Sequence, residues 1–189
     1  MHAYEELREI DLVRDGEPVD QPLFLVCTHG KHDRCCARYG RPVFDALAEQ
    51  LDDEWVWQTT HVGGDRFAGN VVCLPHGLYY GRVEREDALT LVDEQLAGRV
   101  FLDRYRGRSC WPFAAQAAER SIRDETGLVG VDELRLASLH RDGAQFRVGF
   151  VDGAGRRHER DVVGGLGAED YLTCTSPRPE RPRRYVVRG

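Results

Sequence analysis

Hydrophobic residues recur along this chain in short blocks separated by polar, glycine-rich loops. Leu23–Cys27 is an apolar run of buried-strand character. A polar loop, Thr28–Gly40, follows, and Arg41-Pro42 then opens a helix, because a first helical turn has no bond for proline's missing N–H to break. Val43, Phe44, Leu47, Ala48 and Leu51 give that helix one apolar face. Trp55–Thr60 reads as a second strand, with Trp55 and Trp57 on one side as core or sheet-face residues. The loop His61–Asn70 is too polar for a core. Val71–Leu74 and Leu78–Val83 alternate as two strands joined at Pro75-His76-Gly77. Glu86–Ala97 repeats as a helix with Leu89, Val92 and Leu96 on one side and Gly98 closing it. Strand–helix–strand followed by strand–strand–helix is the order of a thioredoxin-like α/β core.

Beyond it, Ser109–Asp124 reads as a helix that clusters Ala114, Ala117, Ala118 and Ile122. From Leu134 the pattern alternates and is broken by turns at Asp142-Gly143 and Asp152–Gly155, which predicts a β-rich section. The expected organisation is an entry arm over residues 1–20, a thioredoxin-like domain over 21–100, a helix plus β-rich extension over 101–176, and a tail over 177–189. That tail carries five arginines against one glutamate, and reads as a solvated basic arm or a docking patch for an acidic partner.

Composition narrows the function classes. The 189 residues include 26 basic and 32 acidic side chains, for a formal charge of −6, which argues against phosphate-backbone binding and so against a nucleic-acid partner. No apolar stretch is long enough to span a bilayer, so no membrane role is expected. The opening Met1-His-Ala-Tyr-Glu-Glu lacks the basic and apolar regions of a secretory leader, so the expected compartment is the cytoplasm, where thiols stay reduced. In that setting the six cysteines, Cys27, Cys35, Cys36, Cys73, Cys110 and Cys174, read as metal-binding or catalytic before they read as disulfides. Cys73, inside a strand, and Cys110, near a helix start, read as buried small hydrophobes. No carboxylate pair stands out as a glycosidase dyad.

Two loops concentrate the chemistry. Cys27-Thr-His-Gly-Lys-His-Asp-Arg-Cys35-Cys36 follows the first strand, and His61-Val-Gly-Gly-Asp65-Arg-Phe-Ala-Gly-Asn70 follows the second. If those strands are parallel neighbours, both loops emerge at one carboxyl edge. Cys27 and Cys36 then offer thiolates, His61 an imidazole and Asp65 a carboxylate, while Gly63 and Gly64 let backbone pass close to a bulky group. Soft sulfur with imidazole suits zinc or an iron–sulfur centre and not magnesium or calcium. The spacing fits neither a zinc ribbon nor a Cys-x-x-Cys oxidoreductase. His29 and His32 read as solvated or hydrogen-bonding loop groups, Asp33 as a loop-fixing carboxylate, Asn70 as a turn cap, and Arg66 as a solvated or charge-offsetting cation. Arg106 and Arg108 read as helix-end ion-pair partners.

The two loops resemble the sucrase/ferredoxin-like family of thioredoxin-like [2Fe-2S] ferredoxins. That family pairs two cysteines nine positions apart with a His-x-Gly-Gly-His-x-Phe-Ala-x-Asn stretch. Cys27 and Cys36 stand at the cysteine positions, and His61, Gly63, Gly64, Phe67, Ala68 and Asn70 match the second stretch. The resemblance implies an electron-transfer protein whose [2Fe-2S] cluster is held by Cys27, Cys36 and His61. At Asp65, where the family has its second histidine, this chain departs from the pattern: either Asp65 is the remaining ligand, or a water or distant cysteine completes the site, or the cluster has been lost. The resemblance also implies a cluster environment of His29, Asp33, Gly63, Gly64, Arg66 and Asn70, and a redox partner protein, either a reductase or an electron acceptor. Cys35 and Cys174 are the candidate substitute ligands. Two other readings stay open: a structural zinc protein, and a thiol-dependent redox enzyme using Cys27 or Cys36 with His61 as base.

Overall fold

The computed structural model describes residues 21–188, so the entry arm over 1–20 lies outside the described residues. The first half is a five-stranded sheet, β1 (Leu23–Cys27), β2 (Val56–Thr59), β3 (Val71–Leu74), β4 (Leu78–Tyr80) and β5 (Tyr105–Arg108), in the order β2-β1-β3-β4-β5. β1 and β2 run parallel, and the remaining pairs are antiparallel. Helix α1 (Arg34–Ala48) makes the crossover between β1 and β2 and packs on both strands. After β4 comes α2 (Ala88–Leu96), which packs against α1. This is the expected thioredoxin-like order. Phe24, Val26, Val43, Leu47, Val71, Leu78, Tyr80 and Leu91 form its core.

Two helices depart from the sequence reading. α1 begins at Arg34, not Arg41, because the Asp33 carboxylate caps it by accepting the Cys35 N–H at 2.8 Å. That cap outweighs the proline signal, and Pro42 sits inside the helix at the cost of one backbone hydrogen bond. The residues taken as the end of a loop, Arg34 to Gly40, are thus helical, and Cys35 and Cys36 lie in the first turn. In α2 the inward residues are Ala88, Leu91 and Val92, whereas Leu89 and Leu96 are exposed. A 3-10 turn over Arg85–Asp87 precedes the helix, and the buried positions follow an i, i+3, i+4 spacing from Ala88.

The second half contains α3 (Phe113–Thr126) and an antiparallel sheet of β6 (Leu134–Asp142), β7 (Gln145–Asp152), β8 (Arg157–Leu166) and β9 (Arg183–Val187). The β-rich expectation holds. The segment read as a basic tail is partly sheet: β9 pairs along β8 from Val162↔Val187 to Leu166↔Arg183, its valines seeking partners that a free arm lacks. Cys110 is exposed rather than buried, since the helix begins three residues later, and Trp57 is an exposed edge-strand residue. No helix among the described residues is long and apolar enough to cross a membrane.

α3 joins the halves. It packs on β5 of the first sheet and on β7, β8 and β9 of the second, presenting Ala114, Ala115, Ala118 and Ile122 to Leu134, Val148 and Phe150. Its inward face also carries charge. Glu119 and Arg123 are both 0% exposed and pair at 2.9 Å. Tyr105 donates to Glu119, and Arg123 donates to the carbonyls of Leu128 and Gly130. Burial holds the Glu119 carboxyl above the usual carboxylate range, with Arg123 and Tyr105 pulling against it.

Two stability outcomes follow. Glu119→Ala strands the buried Arg123 guanidinium and is expected to lower unfolding free energy by about 3–5 kcal/mol in denaturant titration, whereas replacing both partners by apolar residues recovers most of that loss. At Gly40 a Cβ would lie 2.1 Å from the Cys27 carbonyl oxygen, so Gly40→Ala must push α1 off β1. Overpacking of about 1–3 kcal/mol outweighs alanine's helix preference of about 1 kcal/mol, and the variant is expected to unfold at lower denaturant than the parent.

Candidate metal centre

The site forms where β1 and β2 end side by side. Their parallel pairing, Cys27↔Thr59, brings both following loops to one edge of the sheet. The last residue of β1, Cys27, is tied on both sides: its N–H bonds the Asn70 carbonyl at 3.0 Å, and Thr28 N–H bonds the Thr59 carbonyl at 3.3 Å. The chain then turns tightly through His29–Asp33 and enters α1. Gly40 rides over the Cys27 carbonyl, so the helix start with Cys36 lies directly against the strand end with Cys27.

The second loop is held by a relay. Arg106 donates to Asn70 at 2.7 Å, and Asn70 donates to the Gly64 carbonyl at 3.0 Å. Asn70 is therefore a buried clamp, not a turn cap. Gly64 has φ +80° and no room for a side chain, since a Cβ would lie 2.7 Å from Arg106. Gly63, at φ +91°, faces open space. The glycine requirement is thus one of backbone conformation and, at Gly64, of the approach to Arg106.

These constraints bring together Cys27, Cys36 and His61, one potential ligand atom from each lying within 4.8 Å of the others. Asp65 joins from the 3-10 turn Asp65–Phe67: its Oδ1 is 3.0 Å from His61 Nδ1 and accepts from Cys36 Sγ at 3.5 Å. Asp65 thus meets the set at His61 and Cys36, and with His61 and His32 it forms a second group whose ligand atoms lie within 4.8 Å of one another. His32 was not among the proposed ligands, yet its ring stacks on His61 at 3.9 Å between centroids, and its Nε2 is 3.8 Å from Asp65. No spacing motif marks His32; the fold-back of the loop, with the His32 and Asp33 N–H groups both on the His29 carbonyl, carries it there. His29 Nδ1 is buried with no hydrogen-bond partner.

Burial, the neighbouring Cys27 and the Asp65 carboxylate hold the Cys36 thiol well above the ordinary thiol range. Opposing this concentration of electron-rich donors, three guanidinium groups surround the Phe67 ring: Arg106 at 4.3 Å, Arg66 at 4.7 Å and Arg82 at 5.5 Å from its centroid. Burial and the adjacent Arg66 pull Arg106 down to about 10. Arg66 thus belongs to a cationic cluster next to Asp65. Arg108 instead turns away to Asp132 and the Val131 carbonyl. Soft sulfur, imidazole and carboxylate at one edge can hold a transition-metal ion or an iron–sulfur cluster.

The candidate substitute ligands do not join this set. Cys35 and Cys174 meet on the other side of the helix start with Asp33, forming a separate group whose ligand atoms also lie within 4.8 Å of one another.

Comparison with known proteins bears on the first half of the chain. A curated relative from Meyerozyma guilliermondii, named altered inheritance of mitochondria protein 32, is 32% identical over 113 residues, covering 54% of this chain and 40% of its own. The protein of that name from Debaryomyces hansenii is 30% identical over 112 residues, with the same coverage of 54% and 40%. The chain thus spans about two fifths of the length of these relatives. Among solved structures, a thioredoxin-like [2Fe-2S] ferredoxin from Aquifex aeolicus is 24% identical with a TM-score of 0.43, covering 50% of this chain and 97% of that one. A serine variant of that ferredoxin is 25% identical with a TM-score of 0.40, covering 46% of this chain and 99% of its own. The sucrase/ferredoxin-like family model matches residues 4–107, more than half of the 189. The chain belongs to the sucrase/ferredoxin-like family.

Proposed function

We propose that this protein is an electron carrier whose [2Fe-2S] cluster is held by Cys27, Cys36, His61 and Asp65. The observation that carries the reading is the convergence of two thiols, an imidazole and a buried carboxylate from two separate loops at one sheet edge. The donor set fits: sulfur and imidazole together are the ligands of mixed two-iron centres, and family membership points the same way. When bound, such a cluster supplies one-electron chemistry.

The chain's own residues would do the rest. Cys27 and Cys36 ligate as thiolates, so both give up their protons on loading. With Asp65 ionised, the protein ligands carry three negative charges, one more than a set of two thiolates and two neutral imidazoles. Arg66, Arg82 and Arg106, gathered on the ring of Phe67 two residues after Asp65, supply positive charge at the same turn. His32, stacked on His61, limits the freedom of that ring. The partner on this reading is a reductase or electron-acceptor protein in a reducing, cytoplasmic setting. Cys36 as nucleophile is disfavoured because its thiol is pushed up, opposite to what activates a thiol.

A single zinc ion on Cys27, Cys36 and His61 is the second reading, favoured by the tightness of the set, whose ligand atoms lie within 4.8 Å of one another. One preparation separates the two. Oxygen-free protein is expected to be coloured and to contain about two iron and two sulfide per chain; colourless protein with stoichiometric zinc and no sulfide would favour zinc. Cys36→Ser is expected to lose most of the iron and the visible absorption.

The role of Asp65 has its own test. Asp65→His removes one negative charge from the ligand set and is expected to raise the reduction potential by on the order of 100 mV, read by protein-film voltammetry. Asp65→Ala is expected to lower iron retention. Unchanged iron content and spectrum in Asp65→Ala would show that Asp65 is not a ligand.

A further inference from the structure

Cys35 and Cys174 are 139 positions apart, yet the Cys35 N–H points at Cys174 Sγ across 3.3 Å. Between them sits Asp33, only 1% exposed. We propose that Asp33, Cys35 and Cys174 form a second metal site, separate from the Cys27/Cys36/His61/Asp65 set and suited to a thiophilic divalent cation of the zinc class. The proposal is independent of what the first set holds.

The Asp33 carboxylate is oriented by backbone bonds that do not compete with a metal. Asp33 Oδ1 accepts the Cys35 N–H at 2.8 Å, and Oδ2 accepts the Cys174 N–H at 2.9 Å. Its remaining partner is the Cys174 thiol, which donates to Oδ1. That S–H proton occupies the position where a cation bridging sulfur and carboxylate would sit. Both backbone donors stay in place after exchange, as outer partners that fix the carboxylate. The Cys174 loop is ordered independently: Thr173 and Ser176 bond each other through side chains at 2.9 Å, and the Ser176 N–H bonds the Thr173 carbonyl at 3.3 Å. A bridge between Asp170 and Glu180 closes the same loop from outside.

The exchange balances without electron transfer. Two thiol protons leave to solvent, one divalent cation enters, and two thiolates with one carboxylate leave the site at a net −1. That charge falls at the N-terminus of the 15-residue helix α1, where the first N–H groups favour it. Two sulfurs and one oxygen are three of zinc's four usual positions, and water completes the set. Disulfide formation is the competing chemistry. It needs a two-electron oxidant, whereas cation binding needs none and draws on the Asp33 charge. The consequence of binding is a strap: the loop after β8 is fixed to the start of the helix that carries Cys36.

The test uses the full chain, prepared without oxygen, supplied with zinc and freed of excess metal by gel filtration. Elemental analysis is expected to find about one zinc fewer per chain in Cys174→Ala and in Asp33→Asn than in the parent, whichever metal fills the Cys27/Cys36 set, with iron content unchanged in Cys174→Ala. Asp33→Asn keeps the helix cap, so its loss of zinc reads the ligand and not the fold. Cobalt(II) offered in place of zinc is expected to give thiolate-to-metal absorption that Cys174→Ala diminishes. Equal zinc in parent and Cys174→Ala would overturn the proposal. So would a Cys35–Cys174 disulfide, found by thiol trapping, in protein held with excess zinc.

Discussion

The arrangement depends on a contact in which a side chain is missing. Gly40 places helix backbone against the carbonyl of Cys27, closer than any Cβ permits, so the helix start lies against the strand end. Asp33 sets the other coordinate by capping the helix at the position that puts Cys36 beside Cys27. One constraint fixes the distance between the two segments and the other fixes the rotation of the thiols. With β1 and β2 parallel, the His61 loop is then delivered to the same edge without a further device.

What gathers there is electrostatically one-sided. Cys27, Cys36 and Asp65 are all ionisable to anions and all buried or nearly so, with the two cysteines within 4.8 Å of each other and of His61, and Asp65 3.0 Å from His61. Burial, Cys27 and Asp65 push Cys36 toward its protonated thiol. The three arginines on Phe67 supply positive charge outside the ligand set, and Arg106 does a second task through Asn70 and Gly64 by fixing the loop that carries Asp65. Charge compensation and loop positioning therefore share a residue.

The fold was legible where apolar runs were short and bounded. β1, β3 and the meander after Leu134 were readable from alternation and turn residues, and the parallel β1–β2 pairing followed from strand–helix–strand order. The helix carrying the cysteines starts seven residues before the position its sequence pattern marks, because Pro42 is a strong local signal and Asp33 is one of many acids whose capping role depends on where its carboxylate points. Cys27, Cys36, His61 and Asp65 were readable as a group because their loops follow adjacent strands. His32 was not, since its place on His61 comes from the turn through His29–Asp33 and not from any spacing. The meeting of Cys174 with Asp33 is a contact between halves of the chain, and no periodicity encodes it.

The two candidate groups of metal-ligating side chains share one short piece of backbone. Residues 33 to 36 begin α1, and the helical rotation of about 100° per residue sends Cys35 to one side and Cys36 to the other. Asp33 caps that turn and also holds the Cys174 loop, so whatever orders the loop also orders the turn that presents Cys36. The second sheet reaches this point by a rigid route: α3 is locked to the first sheet by the buried Glu119–Arg123 pair with Tyr105, and to the second by its alanine face. The C-terminal half is therefore mechanically continuous with the helix start, which gives a β-sheet remote in sequence a physical means of stiffening the ligands on the first.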